Sequence, residues 1–146
     1  MAGRHRLLRA VELSEEAVRL HPEHGLGRQQ LAGLLFDLGE FAEAVRHLQK
    51  SLEMEPSDGV AHRRLATALV RLDDLDSAIP HYAEAVRVWP DDAKLLRDYG
   101  TTLLFAGEPE RAIELLERAA AVQPGDPATQ RLLKQAREAF ESRQSP

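Results

Sequence analysis

Apolar and polar positions alternate along this chain with the period of amphipathic helices. Leu7, Val11 and Val18 open the pattern, and apolar residues three and four apart lie on one helix face. Similar segments follow to near the C-terminus, each bounded by glycine, proline or aspartate. We therefore expect helices over residues 3–21, 26–38, 42–54, 60–72, 75–88 and 128–142, and Pro109 at the first position of another.

The helical segments recur with a fixed period of 34 residues. Prolines mark it at positions 22, 56, 90 and 124. Small residues keep the same step, which is the sequence pattern of a repeat array. The small-residue columns are Ala10, Ala44, Ala78 and Ala112, and then Ala17, Ser51, Ala85 and Ala119.

The repeated unit resembles the tetratricopeptide repeat, a helix–turn–helix motif. The first full unit carries its pattern of large and small positions at Leu31, Ala32, Leu35, Gly39, Phe41, Ala44, Leu48, Ser51 and Pro56. The chain departs from the family pattern at the tryptophan early in the first helix, where it has Arg28, His62 and Leu96. It also departs at the turn glycine of the second unit, which is Asp73.

The resemblance implies an all-α fold, an α-solenoid of antiparallel helix pairs wound as a right-handed superhelix. We expect one domain over residues 1–146 with three full repeats. Its parts would be an N-terminal helix that is half a repeat (3–21), repeats at 25–58, 59–92 and 93–126, a capping helix (127–142) and a tail (143–146). Lys134 and Arg137 give the capping helix the polar outer face that ends a solenoid.

Three local features refine this expectation. Gly39 is expected to stop the first helix of its repeat, and Asp73 and Asp74 to form the equivalent turn. Pro80 lies well inside a helix, where proline removes a hydrogen bond and predicts a kink. Pro109 lies at a helix start, where its missing donor costs nothing.

The N-terminal helix has the register of a second helix of a repeat. The chain thus begins with half a unit, either as part of a longer array or as an N-terminal cap. An apolar face that includes Leu7 and Val11 is then expected to lack cover, which predicts self-association.

Composition narrows the function. The 146 residues carry a net charge of −5 and no cysteine, which excludes disulfides, thiolate zinc sites and thiol catalysis and disfavours general nucleic-acid binding. No apolar run is long enough for a signal peptide or a membrane span. We expect a cytoplasmic protein.

No catalytic, cofactor or metal site is expected. The six histidines are scattered; His21 and His24 share a turn, but a metal site would need a third ligand. The aspartates between 73 and 76 lack the spacing of a calcium loop. Phosphate-binding and nucleophile motifs are absent from the sequence.

The resemblance implies that the first helices line a concave groove that binds peptides. The groove of this chain would be basic and the outer side acidic, which suits an acidic protein or peptide partner. Alternatively, its cations pair with acidic neighbours such as Asp37 and Asp98. The expected groove residues are Gln29, Gln30, Gly33, Phe36, Arg63, Arg64, Thr67, Arg71, Lys94, Arg97, Thr101, Phe105 and Arg131.

The sequence thus favours a non-enzymatic protein-interaction module that holds an acidic peptide or helical segment. Two alternatives stay open: a self-associating scaffold, and a regulatory domain of a larger enzyme or of a secretion or assembly protein. The carboxylate clamp of some chaperone-binding relatives is not matched, because only Lys94 conforms among the corresponding positions Gln29, Gly33, Arg64, Lys94 and Asp98.

Overall fold

The computed structural model describes residues 2–145, with side chains from Gly3 onward, and every regular element among them is an α-helix. The predicted all-α fold is confirmed. The helices are α1 (Ala2–Leu20), α2 (Gly25–Leu38), α3 (Phe41–Met54), α4 (Gly59–Arg71), α5 (Leu75–Val88), α6 (Ala93–Phe105), α7 (Pro109–Val122) and α8 (Pro127–Gln144).

The chain divides between Asp74 and Leu75 into two compact units. In the first unit, α2 packs against α1 and α3, and α4 packs against α3 and along α2. In the second unit, α6 packs against α5 and α7, and α8 packs against α7 and along α6. Helices α2 and α4 therefore lie side by side in the first unit, and α6 and α8 in the second. The division into three repeats within one domain remains a prediction.

Small side chains allow the paired helices to approach closely. Ala44, Ala78 and Ala112 are fully buried, as the repeat pattern predicted. Gly100 shows how tight the α6–α7 contact is, because a Cβ atom built there would lie 2.8 Å from Cγ of Leu116. Atoms at that distance clash, so position 100 excludes a side chain unless Leu116 moves.

Turns between paired helices use a left-handed residue. Gly39 has φ 86° and ends α2, with its N–H bonded to the carbonyl of Phe36, and Gly107 has φ 83°. The equivalent residue in the second repeat is Asp73, at φ 61°. Aspartate replaces the family's glycine here because its short polar side chain tolerates this conformation better than most.

The ends and prolines of the helices follow the pattern with one difference. Pro109 stands at the start of α7 as expected, and α5 continues as one helix through Pro80, where the kink remains a prediction. The predicted tail begins too early, since α8 continues to Gln144. The Ser142 hydroxyl bonds the Glu138 carbonyl within this last turn. Pro146 lies outside the described residues.

The prediction for the N-terminal helix was wrong in its choice of residues. Val11 is 7% exposed and Val18 is equally buried, because α1 packs this side on α2. Leu7 is half-buried. Leu7 and Val11 therefore do not form an uncovered apolar face.

No helix among residues 2–145 is long and apolar enough to cross a membrane.

We expect Ala112→Leu to lower the free energy of unfolding by about 1–3 kcal/mol, because the larger side chain overpacks a filled helix contact. Ala121→Leu is the control, since Ala121 is exposed on the same helix and a surface change costs less than about 0.5 kcal/mol. Urea denaturation measures both. Equal midpoints for the two variants would contradict the packing described here.

A left-handed non-glycine residue is strained, so Asp73→Gly is expected to raise the free energy of unfolding by about 0.5–1 kcal/mol. The reciprocal variant Gly39→Asp should lower it by a similar amount, since a Cβ at Gly39 meets no atom within 4 Å and only backbone strain is added. Thermal melts of both variants test this, and shifts of the same sign would refute it.

Candidate functional site

The predicted groove residues lie on α2 and α4 in the first unit and on α6 and α8 in the second. The positions facing out from these helices are called here the first-helix face of each unit. Their side chains fall into two groups. One group is engaged within its own unit, and the other is exposed.

Gln29 belongs to the engaged group and was wrongly expected to be open for binding. It is 4% exposed, and its amide Nε2 donates to Oδ2 of Asp58 at the start of α4. Oδ1 of Asp58 accepts from the N–H groups of Val60 and Ala61. Asp58 is thus the N-cap of α4, and it also accepts a hydrogen bond from Gln29 of α2.

Arg97 makes the equivalent contact in the second unit. Its guanidinium donates to Oδ2 of Asp126 at 2.7 Å, and the two side chains are only 25% and 14% exposed. Asp126 caps α8 through the N–H of Thr129. Arg97 therefore fixes the start of α8, and its role in peptide binding remains a prediction.

The bonds to Asp126 stabilise its charged form. Its hydrogen bond from the Thr129 hydroxyl and the next strongest, from Arg97, hold the pKa of Asp126 well below its usual range. Because the folded state lowers this pKa, the carboxylate stabilises the fold above the unfolded pKa of about 4. That stabilisation is lost as the pH falls from there toward the folded pKa.

Lys94 is also engaged. Its ammonium lies 2.7 Å from a carboxylate oxygen of Asp98, one turn further along α6. Lys94 and Arg97 thus both pair with an acidic neighbour, as the alternative expected. Neither cation is unpaired, as a basic groove would require. The Lys94 side chain is nevertheless 64% exposed, so its ion pair is weak.

Arg64 and Arg71 are exposed and belong to the second group. Arg64 makes a long contact of 3.4 Å with the carbonyl oxygen of Gln29. Arg71 lies over two aromatic rings, 4.7 Å from the centre of Phe41 and 5.8 Å from that of Phe36. Within residues 2–145, neither guanidinium forms an ion pair.

The α2 surface beside these arginines is open and partly apolar. A Cβ atom at Gly33 meets nothing within 4 Å. Phe36, one turn further, is half-buried and meets Phe41 edge to face at 5.0 Å. Gln30 is exposed nearby on α2. Both arginines reach α2, at Gln29 and at Phe36, so Gly33 lies between their two contact points.

The remaining predicted residues differ between the units. The hydroxyls of Thr67 and Thr101 donate to carbonyls one turn back in their own helices. Arg63 is half-buried. In the second unit, Phe105 is 70% exposed and Arg131 is exposed. These last two side chains are accessible to a partner.

At the positions where the family usually has tryptophan, three side chains of this chain bond the carbonyl of a preceding proline. Arg28 donates to the carbonyl of Pro22 at 2.9 Å, His62 to that of Pro56 at 2.8 Å, and Gln130 to that of Pro124. In the third repeat Leu96 is buried instead, and Arg118 of α7 bonds the Pro90 carbonyl. Each inter-repeat proline carbonyl thus receives a side-chain donor.

His24 and His62 make structural hydrogen bonds. Nδ1 of His24 accepts from the N–H of Gly27 and caps α2, next to a recess that His21 and Val18 also line. No group of three metal-ligating side chains converges among the described residues. Burial, and secondarily Arg28, lowers the pKa of His47, so its imidazole is neutral at pH 7.

Sequence reasoning missed the capping aspartates. Asp58, Asp92 and Asp126 each stand two residues after a repeat proline and start a first helix. The recurring proline, any residue, aspartate pattern at the 34-residue step could have identified them. The partners of Asp58 and Asp126 lie 29 residues earlier, at Gln29 and Arg97. Because one is a glutamine and the other an arginine, no repeated residue type marks this position in the sequence.

These features define a protein built of repeated helix hairpins. Two family models, both described as tetratricopeptide repeat, match residues 30–93 and 69–136. Together they span residues 30–136. The chain belongs to the tetratricopeptide-repeat family.

Solved structures of similar fold include MamA, with a TM-score of 0.89 at 20% identity over 97% of this chain and 78% of that one. YrrB, a TPR protein with an unusual peptide-binding site, gives 0.78 at 17% identity over 99% and 87%. The first TPR of Spaghetti (RPAP3) bound to the HSP90 peptide SRMEEVD gives 0.73 at 20% identity over 80% and 93%. A comparison with curated protein sequences found no match.

Asp126→Asn is expected to reduce the pH dependence of stability. At pH 7 the variant should be less stable than the wild type, because asparagine can cap α8 but carries no charge for Arg97. The difference should shrink as the pH falls below about 4, where the aspartate becomes protonated in the unfolded chain. Urea midpoints across this range measure it, and Asp91→Asn, in an exposed turn, is the control. A difference that stays constant with pH would rule out this role.

Proposed function

We propose that this chain is a non-enzymatic protein-interaction module that binds an acidic, extended peptide on the first-helix face of residues 2–74. The observation that carries the proposal is the pair of exposed guanidiniums at Arg64 and Arg71, which lie beside an open stretch of α2. Two other cations of the predicted groove, Lys94 and Arg97, already form ion pairs with Asp98 and Asp126.

The two arginines suit a ligand with two separated carboxylates. They are seven residues apart on α4, so they lie on one side of the helix about 10.5 Å apart along its axis. A peptide in the polyproline II conformation returns its side chains to one face every three residues and covers about 9.3 Å over that stretch, at 3.1 Å each. Carboxylates three positions apart would therefore reach both guanidiniums, each of which can donate two parallel hydrogen bonds to a carboxylate.

The surface between the arginines suits an apolar side chain. Gly33 has open space where other residues would carry a Cβ, and the Phe36 ring borders it one turn away. An aliphatic side chain of the ligand would cover part of this ring and lose contact with water. The proposed ligand thus has an apolar residue between its two acidic ones.

Arg71 is held ready for such a ligand. Its stacking on Phe36 and Phe41 restricts the side chain before binding, which reduces the entropy lost in the complex. Its contact with the rings leaves its nitrogen donors available, since Arg71 is exposed. Arg64 is anchored only by the long contact to the Gln29 carbonyl and can adjust.

The comparisons support peptide binding as the general role. One similar fold was solved with an HSP90 peptide that contains two glutamates and an aspartate, and another has an unusual peptide-binding site. For the second unit, we propose Phe105 and Arg131 as accessible contact residues, with Thr101 on α6 as a further contact. Gln30 and Thr67 complete the proposed surface of the first unit.

Binding can be tested with a synthetic peptide, Gly-Glu-Leu-Ala-Glu-Gly with blocked ends, measured by isothermal titration calorimetry. We expect the double variant Arg64→Glu/Arg71→Glu to weaken binding at least tenfold, because two attractive contacts become repulsive. The affinity of the wild type should also fall as salt rises, since exposed charges are screened.

The matched control reverses Arg46, which is exposed on α3 in the same unit and pairs with Glu43. Arg46→Glu should leave the affinity unchanged, and the circular dichroism spectrum should show folded protein for every variant. A peptide with both glutamates changed to glutamine should bind weakly. Equal loss of affinity in the Arg46 variant and the double variant would contradict the assignment of this surface.

A further inference from the structure

One side of α1 is uncovered although Val11 and Val18 pack on α2. Ala10 is half-exposed and Ala17 is exposed, and the leucines beside them are 54% exposed at Leu13 and 63% at Leu20. These four residues are called here the outer stripe of α1. It faces a different direction from the buried valines and includes neither Leu7 nor Val11.

The repeat register shows that the outer stripe corresponds to a helix-packing surface. Ala10 and Ala17 are equivalent to Ala44 and Ser51 of α3, one period later, and both of those are fully buried. Ser51 faces α2, because its hydroxyl donates to the carbonyl of Gly25. Small residues at these positions let a neighbouring helix approach closely, and in α1 the same positions are open.

The spacing of the stripe suits a second helix of similar length. Its residues extend a strict alternation of three and four positions along α1, namely Gly3, Arg6, Ala10, Leu13, Ala17 and Leu20. From Ala10 to Leu20 the positions are apolar and have the three-and-four spacing of a two-helix coiled-coil seam. Alanine and leucine take turns along it, and the small alanines let a partner helix approach closely.

The charges beside the stripe indicate what the partner is. Arg9 and Glu16 are seven residues apart and flank the stripe on the side away from Val11 and Val18. Their present bonds, to Glu12 and Arg19 respectively, are exposed i, i+3 pairs, which contribute little. Both charged groups therefore remain available at the edge of the stripe.

We propose that a second copy of this chain covers the outer stripe, with the two α1 helices antiparallel about a two-fold axis near Leu13. In this arrangement Arg9 of each copy faces Glu16 of the other, so the opposite charges pair twice. Ala10 of one copy then lies near Ala17 of the other. A parallel arrangement would place Arg9 and Glu16 beside Ser14 and His21 of the partner helix, so neither would meet an opposite fixed charge.

The contact is small. It uses a single helix from each copy and lies below the roughly 1,200 Å² of stable complexes, so the dimer is weak and its population rises with protein concentration. It does not depend on the peptide surface, since α1 contributes no residue to that surface.

Sedimentation equilibrium of the full chain over a range of concentrations tests the proposal. We expect the wild-type mass to rise toward that of a dimer, and Leu13→Glu to raise the dissociation constant at least tenfold. Leu8→Glu is the matched control, because Leu8 is an exposed leucine on another side of α1. A wild type that stays monomeric throughout, leaving the stripe to a helix of another protein, would overturn the proposal.

A charge exchange tests the pairing. Arg9→Glu and Glu16→Arg should each weaken the dimer, and the double variant should restore it, because opposite charges again face each other across the axis. Circular dichroism melts check that each variant is folded. A double variant weaker than both single variants would contradict the proposed pairs.

Cross-linking tests the orientation, and the absence of native cysteines makes it specific. On oxidation, a mixture of Ala10→Cys and Ala17→Cys chains should form the mixed disulfide. Ala17→Cys alone should stay largely uncross-linked, because the two residues are at opposite ends of an antiparallel pair. Efficient cross-linking of Ala17→Cys alone would indicate a parallel pair and refute the arrangement.

Discussion

The start of a first helix depends on an aspartate that two helices share. Asp58 caps α4 and accepts from Gln29 of α2, and Asp126 caps α8 and accepts from Arg97 of α6. The cap satisfies N–H groups that a helix end leaves unbonded, and the side chain from the earlier helix fixes the register between side-by-side helices. Each unit therefore sets the position of its first-helix face through one short polar contact.

This constraint divides the first-helix face into structural and accessible residues. Gln29 is buried against the start of α4, and one guanidinium nitrogen of Arg97 is committed to Asp126, so both side chains serve the helix starts. Residues further along the helices have no such task, and there Arg64, Arg71 and Gly33 remain open. The proposed function of this chain follows from this division rather than from its net charge of −5, which by itself favours no acidic partner.

The sequence predicted the helices well because each has a clear apolar period and a turn residue at its end. Pro109 and Gly39 were assigned correctly for that reason. Exposure on the first-helix face was harder to predict. Gln29 is buried and bonds Asp58, which lies 29 residues later in the sequence. The burial of Val11 likewise depends on the angle at which α1 meets α2, and a periodic pattern alone does not give that angle.

A nuclear magnetic resonance titration of the wild type with the Gly-Glu-Leu-Ala-Glu-Gly peptide tests the division most directly. The account predicts that the amide signals of Gly33 and Phe36 and the guanidinium Nε signals of Arg64 and Arg71 shift together with one affinity. The Nε signal of Arg97 should stay unchanged, because the guanidinium of this residue is already paired with Asp126. Shifts centred on Arg97 or on the acidic surfaces of α3 and α7, with α2 unaffected, would contradict it.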